Sequence, residues 1–124
     1  MENRIPFDNE FSLWAICRCL VAEGPLWSES EQSLYWVDIS CGTIYRKNIS
    51  DTADGFSFFP LSLGKIGGMV FTNRQSLLLF AAEGKVWEWR PENEPELYTV
   101  LPAAAASRFN DVIADPAGGA FCGV

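Results

Sequence analysis

Apolar and polar residues alternate over short runs along most of this chain, and turn formers break the runs every few positions. Alternation with a period of two marks strands with one face buried. The run SLYWVDI (33–39) is rich in β-branched and aromatic residues, and CGTIYRKNI (41–49) follows it with Gly42 at the turn. Together they predict a hairpin. MVFT (69–72) and SLLLFAA (76–82), joined by NRQ, predict a second. Glu83-Gly84 then turns into KVWEWR (85–90), a third strand of that group. PENEPE (91–96) reads as a polar loop and LYTVL (97–101) as a further strand. AAAAS (103–107) predicts one helical turn at most, and GGAFCGV (118–124) the start of another strand. No amphipathic stretch is long enough for an ordinary helix, so the fold class is all-β.

The pattern repeats. Residues 24–48 lie over 67–91: Ser33-Leu34-Tyr35-Trp36 falls on Ser76-Leu77-Leu78-Leu79, Gly42 on Gly84, and Tyr45 on Trp87. A third copy opens at Asn110. A repeat of about 40–50 residues built from short strands is the signature of a β-propeller blade. The blades are expected at about 20–63 and 64–106, with the start of a third at 107–124. Generic hairpins that match by coincidence are the competing explanation. A propeller has at least four blades, and a lone blade leaves sheet edges open. The chain is therefore expected to be the N-terminal part of a longer propeller. The alternatives are several copies closing a ring as a homo-oligomer, or a truncated product without function of its own.

Composition narrows the chemistry. The 124 residues include five Trp and nine Phe, a density that suits flat, packed sheets. Sixteen acids against nine bases give a net charge of −7, which argues against nucleic acid as a partner. No apolar run reaches the roughly 18 residues of a membrane span. Residues 1–20 lack the pattern of a secretory signal, so the cytoplasm is the expected location. The four cysteines (Cys17, Cys19, Cys41, Cys122) include no C-x-x-C pair. They are expected to be free and buried, with the C-x-C at 17–19 sending one sulfur to each side of a strand. Histidine is absent. That excludes Ser-His-Asp and Cys-His sites and histidine-held metals. A cation would need oxygen ligands, which suits calcium, magnesium or manganese.

Two stretches look unlike plain packing. Glu23 opens the innermost strand of the first repeat, beside Gly24-Pro25. It reads either as a solvated turn acid or as a carboxylate aimed into a propeller's central channel. Arg108, Asn110 and Asp111 crowd the matching place in the third repeat. Asp115 and Gly118, in DPAGG (115–119), read as turn residues.

AEGPLWSESEQSLYWVDI together with RFNDVIADPAGGAFCG resembles the regucalcin (senescence marker protein)/gluconolactonase/luciferin-regenerating-enzyme-like family. The pattern there is G-E-[GS]-P-x-W, then L-x-[WF]-x-D-I, then R-x-N-D-x-x-x-D-x-x-G. The resemblance implies a six-bladed propeller, of which this chain holds about two and a half blades. It implies one divalent metal, calcium or zinc, and a metal-dependent hydrolase that opens a sugar lactone. Glu23 would then be a metal ligand, and Arg108 and Asn110 would bind substrate; Asp111 would be structural. The family's other ligands, including the aspartate proposed as general base, lie beyond the R-x-N-D motif. No catalytic residue is therefore expected in this chain, which alone should be weakly active or inactive. A propeller that binds calcium or a partner without turnover is the alternative.

Overall fold

In a computed structural model, residues 13–52 and 54–124 are described. Ten strands follow one another: β1 (Ala22–Ser28), β2 (Ser33–Asp38), β3 (Thr43–Asn48), β4 (Ser57–Pro60), β5 (Ile66–Phe71), β6 (Leu77–Ala81), β7 (Lys85–Trp89), β8 (Glu96–Val100), β9 (Asp111–Asp115) and β10 (Gly119–Gly123). They form two four-stranded antiparallel meanders, β1-β2-β3-β4 and β5-β6-β7-β8, and a hairpin, β9-β10. This is the all-β, propeller-like arrangement that the periodicity predicts. The strands that the pattern predicts agree with it to within a few residues at their ends; β4 is an addition. The helical turn expected at 103–107 is a single 3₁₀ turn, Pro102–Ala104. The secretory-signal reading of residues 1–20 falls mostly outside the described residues.

Pattern and turn chemistry set each meander. Gly42 sits between β2 and β3 at φ +57°, and a Cβ there would come 2.2 Å from the Gly64 carbonyl oxygen. Only glycine fits both demands. β4 carried little signal because it is four residues long and ends in Pro60. A proline is tolerated there because β4 is an edge strand.

The sheets stack face to face with an apolar layer between each pair. Tyr35, Val37, Ile39 and Ile44 of the first sheet meet Ile66, Met69, Leu77, Leu79 and Trp89 of the second. The other face of the second sheet gives Val70, Phe80 and Val86 to a second layer, closed by Ala104 and Phe109. Alternate residues of β6 thus enter different layers, which explains its unbroken apolar run LLLFA. The central strand β5 packs against β1 and β2 on one side and β9 on the other. The first strands of all three sheets are therefore neighbours, the position that lines the central channel of a propeller.

Two cysteine expectations are corrected. Residues 17–19 form no strand, and Cys17 and Cys19 lie on the same side, with their sulfurs 3.1 Å apart. Residues i and i+2 of a strand would share a face in any case, so opposed sulfurs were the wrong expectation, and a left-handed Arg18 brings the two together here. All four cysteines are free, but Cys41 and Cys122 are exposed and the other two are only half-buried.

Candidate functional site

The R-F-N-D stretch is organised by its phenylalanine. Phe109 is 1% exposed and meets Phe80 edge-to-face, with ring centroids 5.3 Å apart. Side chains alternate along extended backbone, so burying Phe109 turns Arg108 and Asn110 outward, and both are exposed. The Asn110 N–H donates to the Gly123 carbonyl at 2.9 Å, which fixes its backbone against the end of β10. The Arg108 guanidinium donates to the Phe109 carbonyl at 3.0 Å. Arginine carries five N–H donors, so most remain for another partner.

A glycine pair brings this stretch close. A Cβ on Gly67 would lie 1.9 Å from the Phe109 carbonyl oxygen, and one on Gly68 would lie 2.6 Å from Val112 Cγ2. Gly67 also stands at a break in register where β5 bulges against β6. β1 has the same kind of break between Glu23 and Leu26, at Gly24-Pro25. The repeat alignment of Gly24 with Gly67 thus corresponds to a shared bulge near the start of each first strand.

Glu23 lies just before that bulge, paired with Val37, and is exposed. Its segment is held by Asp38, whose two carboxylate oxygens accept the Leu20 and Val21 N–H groups at 3.0 Å each. Burial raises the Asp38 pKa, but these backbone bonds and the Cys41 side chain outweigh it and hold the carboxyl below its ordinary value.

The family model described as the SMP-30/gluconolactonase/LRE-like region matches residues 21–124. The chain belongs to this family. A pentonolactonase, XacC, from Haloferax volcanii is 38% identical over 105 residues, which are 85% of this chain and 34% of that protein. A 6-deoxy-6-sulfogluconolactonase from Pseudomonas putida is 34% identical over 104 residues, 80% of this chain and 33% of that one. The chain spans about one third of the length of the curated relatives it matches. A luciferin-regenerating enzyme superposes with a TM-score of 0.70 at 21% identity, covering 84% of this chain and 36% of that one. That likeness shows the fold.

Within this family framework the structure brings Arg108 and Asn110 together on either side of Phe109. Glu23 stands apart, on β1 across the central strand. No ion pair joins Glu23 to Arg108 among the described residues. Nor do any three His, Cys, Asp or Glu side chains there converge as a cation site. Calcium takes six to eight oxygen ligands. The described residues thus do not by themselves fit the divalent metal that the resemblance implies. Asp111 is exposed and accepts the Val112 N–H at 2.9 Å. Asp115 accepts the Ala117 N–H, and Gly118 follows at φ +105°, the geometry of a turn. Sequence reasoning missed four positioning residues. Asp38 and Phe109 stood inside the quoted motifs, and Gly67-Gly68 in a strand marks a close backbone approach.

Proposed function

We propose that this chain forms part of a sugar-lactone hydrolase and supplies the substrate-holding side of its site. The observation that carries the reading is the outward pair Arg108 and Asn110, locked by Phe109 beside the first strand β5. Lactonases among the relatives supply the substrate class. Arg108 and Asn110 would donate hydrogen bonds to the oxygens of a lactone ring. Donors placed where negative charge develops stabilise the transition state of acyl transfer. Water adds to the lactone carbonyl, the ring C–O bond breaks, and a hydroxy acid leaves. No histidine is available to activate that water, and no base among the described residues is assigned to it. The base and any further cation ligands beside Glu23 belong, in this reading, to residues outside the 124. A binding propeller without turnover is the second reading.

The test is acid release from aldonolactones, followed by pH-stat on the intact protein that carries these residues. R108A and N110A are expected to lower turnover by roughly a hundredfold or more. Both side chains are exposed, so thermal unfolding should stay unchanged. Full activity in R108A and N110A would overturn the assignment, and no turnover in the wild type would favour the binding reading.

A further inference from the structure

Outside the candidate site, one cluster of reactive groups stands out. Cys17 and Cys19 hold their sulfurs 3.1 Å apart, with the Cys19 thiol donating to Cys17. Arg18 between them adopts φ +53°, a left-handed conformation uncommon for a residue other than glycine. That kink folds the segment so that both side chains meet. Beneath them lie Trp36 and Tyr45, stacked with centroids 5.5 Å apart. Both cysteines are half-buried, open to a small oxidant and shielded from a bulky one.

The two thiols are electrostatically unequal. Burial raises the Cys17 pKa, but hydrogen bonds from Cys19 and Trp36 outweigh it and bring the net value below the ordinary one. Burial and the hydrogen bond to Cys17 push Cys19 up to about 11. One sulfur is thus the better thiolate and the other keeps its proton, the division of labour between an attacking and a resolving thiol.

We propose that Cys17 and Cys19 form a two-thiol redox site that closes to an intrachain disulfide on oxidation by a hydroperoxide. The Cys17 thiolate attacks one peroxide oxygen and the O–O bond breaks. The departing oxygen takes a proton and leaves as water or an alcohol, and Cys17 becomes a sulfenic acid. The Cys19 sulfur attacks the Cys17 sulfur, the S–O bond breaks, and hydroxide leaves as water with the Cys19 proton. Two thiols lose two electrons and two protons, and the peroxide is reduced. The sulfurs must close by about 1 Å to reach disulfide length. A cross-link spanning only residues 17–19 constrains the unfolded chain little, so this pair is a redox group and not a staple. Short, constrained disulfides are the labile ones.

The experiment uses the full chain with Cys41→Ser and Cys122→Ser, reduced and then given one equivalent of hydrogen peroxide. Trypsin cuts after Arg18, between the two sulfurs. The fragments 5–18 and 19–46 are expected to run as one linked species, two hydrogens lighter than their sum, and to separate after dithiothreitol. The wild-type chain should give the same 17–19 link. Recovery of both cysteines as freely alkylatable thiols would overturn the proposal. So would Cys17 two oxygens heavier as a sulfinic acid, since Cys19 would then have failed to reach it.

Discussion

Asp38 shows how one side chain sets the entry to the candidate site. Its carboxylate accepts the two N–H groups that lead into β1, and Ile39 continues the ladder by donating to the Val21 carbonyl at 3.0 Å. A carboxyl held below its ordinary value of 3.8 stabilises the fold above that pH. The stabilisation is lost as pH falls through the lowered native value. Asp38→Asn is expected to cost about 1–2 kcal/mol at neutral pH and to remove this part of the acid sensitivity. Urea unfolding from pH 7 down to the acid limit measures both effects. Equal loss of stability in acid by wild type and variant would contradict the role given to Asp38. The residue was visible in the quoted D-I strand motif. Its partners, the backbone of Leu20 and Val21, were not, because they lie 17 and 18 residues away.

At the scale of elements, hairpins were the legible part. The alternation in 33–49 and 69–90, with Gly42 and Gly84 at the turns, located β2, β3, β5, β6 and β7. Short β4 stayed silent because four residues hold too few alternations to count. The cysteine segment was misread twice: i and i+2 of a strand share a face, so opposed sulfurs did not follow, and the segment is no strand, because a left-handed Arg18 bends it. The approach of residues 109–112 to β5 is an element-level contact that depends on two missing methyl groups, at Gly67 and Gly68. Gly67→Ala would drive a Cβ to 1.9 Å from the Phe109 carbonyl oxygen, and backbone cannot step aside as a flexible side chain can. The variant is expected to lose about 1–3 kcal/mol and to shift the Arg108–Asn110 stretch. Denaturant titration reads the first effect. The amide signals of residues 107–112 read the second, and wild-type values for both would refute the argument.

Across the whole molecule, each sheet covers its neighbour, and the outer face of β9-β10 has no neighbour within the described residues. Ile113 and Phe121 pair across that hairpin at 68% and 64% exposure. Strand β10, which carries Phe121, also offers an unpaired edge among the described residues. Exposed apolar surface beside an open edge favours association. As a 124-residue chain the protein is expected to self-associate with rising concentration, and Phe121→Lys to reduce that. Sedimentation velocity across a tenfold concentration range measures it. Unchanged sedimentation in wild type and variant would remove the surface as a cause. No helix among the described residues is long and apolar enough to cross a membrane.

The sequence by itself determined most of the strands, the turn glycines, the repeat and the family, because these rest on local periodicity and on short motifs that carry their own chemistry. It also named Glu23, Arg108 and Asn110 as the candidate residues. Only the tertiary structure decided how those residues are held. Phe109 turns its neighbours outward because a second sheet buries it. Gly67 and Gly68 admit Phe109 and Val112 because two segments more than 40 residues apart come into contact. Asp38 is an anchor because the chain before β1 folds back onto it. Cys17 and Cys19 became a pair because one backbone angle brings them together. Each depends on distances between atoms remote along the chain or on a single dihedral, and neither is encoded in the alternation of polar and apolar residues.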